Sequence, residues 1–214
     1  MVDVISSHGY LKPALLTMEL SQMIVQAMWV TQSPLYQLPY IDGDLVSDLK
    51  KAKVEDIIDF MNMDEELRAK VLRGISESQM GQIADVCNRY PTVEMEFSLD
   101  FKKYKDGDTA EMSVNIRRPD AEDDEDLKRF AQPVQAQFYP AEKDEQWWVI
   151  LGRPKLNKLL AIKKVTNFKA VAETQVKLNF VVKAEGGDQS KIDYKVYLIC
   201  DSYIGCDQED EVSI

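Results

Sequence analysis

Histidine is nearly absent from this chain of 214 residues: His8 is the only one. Most zinc sites and most nucleophile–base triads draw on histidine, so those chemistries are excluded. His8 itself sits in Ser6-Ser7-His8-Gly9, which reads as a flexible lead-in. Cysteine is scarce too, with only Cys87, Cys200 and Cys206. An odd number without a framework spacing points to reduced thiols in the cytosol or nucleus. Cys200 and Cys206 flank a turn and come near each other, but plain free thiols are the favoured reading. The nine glycines build no GxxxxGK[ST] loop, so nothing here cradles the phosphates of ATP. Bases are outnumbered, 26 Lys and Arg against 37 Asp and Glu, for a formal charge of -11. Gripping nucleic acid usually takes a basic face, so direct RNA binding is expected to be weak or missing. Met1-Val2-Asp3 opens no signal peptide. Residues 15–30 are too short, and too interrupted, to span a bilayer. The carboxylates fall on polar faces and loops, and no spacing selects an acid–base pair. No catalytic residue, cofactor or metal is therefore expected.

What is present is an unusually apolar helix. From Ala14 to Val30 the one charge is Glu19, and Glu19, Gln22 and Gln26 make a single narrow polar stripe at helical spacing. Leu15, Leu16, Met18, Leu20, Met23, Ile24, Val25 and Met28 cover the other sides. Such a helix is expected to be buried on most sides, and the later helices are too few to do it. Residues 1–41 therefore read as the terminal helix of a larger helical bundle plus a connector stiffened by Pro34 and Pro39. Leu20, Met23 and Ile24 are candidates for packing or for a partner surface.

Residues 42–90 read as a helix–loop–helix module of short helices. Asp64-Glu65-Glu66 puts acids at a helix start, Gly74 suits a helix end, and Ser76-Glu77-Ser78-Gln79 is a capping-box pattern. A glycine turn leading into a capped helix can hold a phosphate, which makes Lys70, Arg73 and Gly74 weak candidates for that contact. The module holds 11 acids and 7 bases, so a plain scaffold is the preferred reading.

After Pro91 the hydrophobic period changes from 3.6 to 2. Val93, Met95, Phe97 and Leu99 alternate with polar residues, and so do Met112, Val114 and Ile116. Strands follow over 147–151, 159–165, 176–182 and 194–200, with Val212 and Ile214 as a last edge. Turn signals such as Lys105-Asp106-Gly107-Asp108 and Gly186-Gly187-Asp188 separate them. Seven short strands with no helix between them suggest an immunoglobulin-type sandwich, and Tyr194 lies where a tyrosine corner would fall. The acidic run at 120–126, DAEDDED, reads as a solvated loop. Trp147 and Trp148 face opposite sides of one strand. One belongs to the sandwich core, and the other anchors a partner or covers the helical module. The fold class is α+β: a bundle helix with a helix–loop–helix, then an all-β fibronectin- or immunoglobulin-like sandwich over 91–214.

The pieces VDVISSHGYLKPALLTMELSQMIVQAMW, PLYQLPYI, ADVCNRYP, WWVILG with LLAIKKV, and YKVYLICDSYIGCDQE resemble a Sec-sixty-three homology unit across essentially the whole chain. The resemblance is nearest to the C-terminal unit of the large spliceosomal DExH-box RNA helicases of the U-five ribonucleoprotein, and CNRYP and SYIGCDQE are its most specific pieces. It implies a non-catalytic accessory and protein-docking unit in the nucleus. Its implied partners are the upstream helicase cassette and other spliceosomal proteins, with no membrane. The parent would be an ATP-dependent helicase that unwinds paired U-four and U-six RNAs, its ATP and RNA residues lying elsewhere. The same unit in a protein-translocation membrane protein, or in a cointegrator helicase, is the alternative.

Overall fold

The computed structural model describes residues 1–100, 105–168, 171–182 and 194–212. The Gly186-Gly187-Asp188 turn and Ile214 lie outside them. The elements run α1 (Val2–Ser6), α2 (Leu11–Gln26), a 3-10 turn (Pro34–Gln37), α3 (Gly43–Lys51), α4 (Ile57–Met61), α5 (Glu65–Val71) and α6 (Glu77–Cys87). Then come β1 (Glu94–Leu99), β2 (Thr109–Arg117), α7 (Asp124–Phe130), β3 (Trp147–Arg153), β4 (Lys158–Val165), β5 (Glu173–Val181), β6 (Tyr194–Cys200) and β7 (Gln208–Val212). The fold is mixed α+β, with seven helices and two antiparallel sheets among the described residues.

The short helices start where side-chain oxygens cap them. Asp42, Asp56 and Asp64 accept from Leu45, Asp59 and Leu67 amides. Ser76 and Gln79 form the full capping box of α6. Gly74 does not take a left-handed cap; α5 ends at Val71 with Leu72 as its cap residue. The acidic run is not simply a loop. Asp123 accepts from the Glu125 and Asp126 amides, and Asp124, Glu125 and Asp126 fill the first turn of α7. Acids there face the positive end of the helix dipole, so a cluster that looks like a solvated tether instead starts a helix between β2 and β3.

The sheets have the orders β1-β2-β5 and β4-β3-β6-β7. In β2 and β5 alternate residues are buried. In β3 all seven residues are buried, because both of its faces are covered. Trp147, Val149 and Leu151 share one core with Met112, Val114, Val176, Leu178, Val196 and Leu198, so the inner faces of both sheets meet. That core continues into the helical segment through Leu49, Ile57, Ile83 and Tyr90. Phe180 and Tyr194 rings lie 5.6 Å apart within it. At its margin Arg118 pairs with Glu145 and lies against the Phe130 and Phe168 rings, which ties α7 to the sheets.

A second core lies on the outer face of the four-stranded sheet. Trp148, Ile150, Leu159, Tyr197 and Ile199 pack there against Val2, Leu11, Ala14 and Met18. The cover expected from other helices is supplied on one side of α2 by a sheet. Gly152 makes the close approach possible: a Cβ there would come within 2.7 Å of Leu11 Cδ1 and 3.0 Å of the Lys158 carbonyl oxygen. The lead-in is held rather than loose. Residues 2–6 form α1, Leu159 N donates to the Gly9 carbonyl at 2.9 Å, and Leu11 N donates to the Asn157 carbonyl at 3.1 Å.

Candidate partner surface

The helix α2 carries two faces of opposite use. Pro13 falls in its first turn, where a missing amide costs nothing. Its end is fixed by Ala27 at φ 52°, with Met28 N reaching back to the Met23 carbonyl at 3.1 Å. Between those ends Leu11, Ala14, Met18, Gln22 and Val25 are buried. The polar stripe thus points toward the protein, not away from it. Gln22 Nε2 donates to the Cys200 carbonyl at 2.8 Å and to Asp207 Oδ2 at 2.8 Å. Gln26 Nε2 donates to the Ser202 carbonyl at 2.8 Å, and Ser21 Oγ donates to the Asp201 carbonyl at 3.0 Å.

These bonds satisfy a loop that cannot satisfy itself. The segment 201–207 leaves β6 and returns as β7, and most of its residues are buried. Gln37 brackets Ile204, donating to its carbonyl at 2.8 Å and accepting from its amide at 2.9 Å. Tyr90 Oη donates to the same carbonyl at 3.0 Å, and its ring meets Tyr203 edge-on at 5.5 Å. Gly205 takes φ +93°, and a Cβ there would sit 3.3 Å from Pro34 Cγ and from Tyr90 Oη. The CNRYP and SYIGCDQE pieces therefore meet in space. Burial pushes the Asp207 carboxyl up to about 6, against hydrogen bonds from Gln22 and the Cys200 amide that hold it down. Burial likewise pushes the Cys87 thiol up to about 11 and raises Cys200 and Cys206. All three cysteines are free thiols, and thiols raised in this way are poor nucleophiles and poor ligands.

The opposite face of α2 is apolar and open. Leu16 is 61% exposed, Ile24 57% and Trp29 70%. Leu20 and Met23 are half-buried between them. A groove of about 280 Å³ is lined by Leu20, Met23, Ile24, Ala27, Met28 and Trp29. A second, of about 270 Å³, lies on the other side of Leu20 and Ile24, against Met1, Thr17 and Trp148. Leu20 and Ile24 form a ridge between two troughs, the relief into which another helix packs. Apolar faces of this kind mark contact sites.

The other candidates fall elsewhere. Trp147 belongs to the inner core, its Nε1 donating to Glu145 Oε1 at 2.5 Å. Trp148 belongs to the outer core and is 5% exposed beneath α2, with the Lys164 ammonium 5.2 Å from its ring centre. It anchors the chain's own helix, and its cover is α2, not the segment 42–90. Lys70, Arg73 and Gly74 are exposed. The amides of Ser76 and Gln79, next to them, are already bonded inside the capping box. That removes two of the donors a phosphate would need. Sequence reasoning missed the three-glutamine clamp of Gln22, Gln26 and Gln37. Its one signal was polar residues recurring on an otherwise apolar helix.

The Sec63 Brl domain family model matches residues 1–213. A U5 small nuclear ribonucleoprotein 200 kDa helicase of Drosophila melanogaster is 40% identical over 214 residues, all of this chain and 9% of that protein. The DExH-box ATP-dependent RNA helicase DExH12 of Arabidopsis thaliana is 38% identical over 218 residues, all of this chain and 10% of its own length. An activating signal cointegrator 1 complex subunit 3-like protein of Dictyostelium discoideum is 34% identical over 217 residues, again all of this chain and 9% of that protein. The chain thus spans about a tenth of the length of the relatives it matches.

Proposed function

The chain belongs to the Sec63 Brl domain family, and from that premise we propose that it is a non-catalytic accessory and docking unit of a spliceosomal RNA helicase. The observation that carries the reading is the open face of α2. A soluble unit with no use for Leu16, Leu20, Met23, Ile24 and Trp29 would gain by covering them, since each contributes about 1.5–3 kcal/mol when buried. The occupant is the helicase body to which such a unit is joined, with α2 as the terminal helix of its bundle. The relatives named as helicases support that choice over the protein-translocation alternative. The two antiparallel sheets are read as a fibronectin- or immunoglobulin-like sandwich over 91–214, a reading supported by strand orders β1-β2-β5 and β4-β3-β6-β7 around one core. The segment 42–90 is read as the helix–loop–helix module and 1–41 as the bundle helix with its connector.

On this reading the unit works in the nucleus, contacts proteins of the splicing machinery, and leaves RNA unwinding and ATP hydrolysis to the rest of the helicase. The test is reconstitution. The chain is mixed with the helicase portion of the same protein, and association is read by size-exclusion chromatography with light scattering. Leu20→Asp and Ile24→Asp should abolish association while melting stays near wild type. Association unaffected by both variants would overturn the reading, as would ATPase activity in the highly purified chain.

A further inference from the structure

We propose that the edge of β4 binds an acidic, extended peptide segment of a partner protein by strand addition. The charge distribution points there first. Residues 146–172 hold six bases and no acid, whereas the rest of the chain holds 20 bases against 37 acids. The stretch includes the whole of β4, which is an edge strand, hydrogen-bonded to β3 alone. Lys163 and Lys164 are exposed, Lys158 is half-buried, and Lys12 lies beside them, its amide donating to Asn157 Oδ1 at 2.7 Å. Among the described residues none of these four lysines forms an ion pair, although acids are in excess everywhere else.

A second observation is that this edge already accepts a strand. Tyr10 bridges Lys158 antiparallel, with the Leu159 amide on the Gly9 carbonyl and the Leu11 amide on the Asn157 carbonyl. The chain then turns into α2 and leaves. Residues 160–165 make no hydrogen bond on that side among the described residues. Unpaired backbone donors and acceptors in a row are a template for another strand. Lysines on an edge repel a like edge, which keeps β4 from pairing with a second β4. The same lysines attract a strand bearing Glu or Asp, because opposite charges across an antiparallel pair stabilise it. An RNA would use the lysines but not the amide and carbonyl row, and it would have to approach a chain of formal charge -11. The peptide uses both. This inference does not rest on the reading of α2: Lys164 also lines the second trough beside Leu20 and Ile24, but Lys158, Lys163 and the open backbone row of 160–165 stand apart from it.

The experiment is a titration of the full 15N-labelled chain with an acetylated peptide of about eight residues alternating Glu and Thr. Amide shifts should be confined to residues 160–165 and their β3 partners. Lys163→Glu with Lys164→Glu should weaken binding by at least about tenfold with melting unchanged. A matched peptide carrying Lys for Glu should not bind. The proposal is overturned if the acidic peptide shifts no β4 amide, or if the lysine peptide binds as well. It is overturned equally if an oligouridine of the same length binds this edge more tightly, or if the edge is taken by Glu209–Glu211 of a second copy, seen as concentration-dependent association of the free chain.

Discussion

The two faces of α2 differ in a way their composition does not announce. The inward face contains Gln22 and is flanked by Ser21 and Gln26, yet the Ser21 hydroxyl and both glutamine amide nitrogens donate to carbonyls or a carboxylate. The outward face is largely apolar over residues 16–27, yet it stays open to solvent along two troughs, one of them walled by Asp3, Trp148, Lys164 and Asp201. The inward polar groups of this helix are thus already bonded and its inward apolar groups already packed, whereas the ridge of Leu16, Leu20 and Ile24 is still available. A hydrogen-bonded polar residue can be buried at little cost, whereas an uncovered ridge of Leu and Ile is a contact waiting for its second half.

The largest test of that contrast puts the same change on each face. Met18→Asp places a carboxylate in the outer core among Trp148, Ile150 and Ile199, and should cost more than about 4 kcal/mol, enough to lose cooperative melting. Ile24→Asp should move stability by less than about 0.5 kcal/mol. Equal destabilisation in chemical denaturation would mean that the two faces are alike.

Asp207 sharpens the comparison through pH. Its folded carboxyl titrates at about 6, above the 3.8 of an unperturbed Asp. A raised folded value means that the native state holds its proton more tightly, so this stabilisation is complete below about 4 and is lost as pH rises through 6. Asp207 keeps an exposed face, and solvent screening there holds the loss to roughly 1 kcal/mol, well below what the full shift would give. Asp207→Asn should abolish it, so that the variant gains on wild type between pH 4 and pH 7. A stability difference that stays flat across that window would show that the clamp is not strained by this carboxylate.

Gly152→Ala tests the fit between helix and sheet. The added methyl meets Leu11, and the expected cost is about 2 kcal/mol, with a local shift of the start of α2. Pairing it with Leu11→Ala should give a cost smaller than the sum of the two, because the second change empties the space that the first one needs. The smallest effect is at the capping box. Ser76→Ala should cost about 1 kcal/mol, while Lys70→Ala and Arg73→Ala should leave both melting and RNA affinity unmoved. A clear loss of RNA binding in the last two would revive the phosphate contact at the turn.

Much of the fold is legible in the sequence because its signals are local. Alternation marks β1 and β2, apolar runs mark β3 to β6 with β6 found at its own bounds, Val212 touches only the end of β7, and Ser76 to Gln79 announces the capping box. One misreading is of a local cap, and the others share one cause, which is that a remote partner decides them. DAEDDED looks solvated until Asp123 is seen capping the turn that follows. Gly152 looks like the end of a strand, but the strand runs to Arg153 and the glycine answers to Leu11, well over a hundred residues away. Gln22 and Gln26 look like a solvent stripe because nothing nearby reveals that the 200–207 segment lacks partners. The candidate surface was half legible. Leu20, Met23 and Ile24 are on the open face, while Trp148 is spent on covering the chain's own helix.

The clamp between α2 and the β6–β7 loop also has a consequence in time. Gln22 and the Cys200 carbonyl it bonds are separated by 178 positions. A ribosome adding roughly 5–20 residues per second needs on the order of ten to thirty-five seconds to make that distance. For all of that interval the inward glutamines of α2 lack the loop that they bond. The seal along the inward face of α2 is therefore among the last contacts this chain can make, however early the helix itself winds.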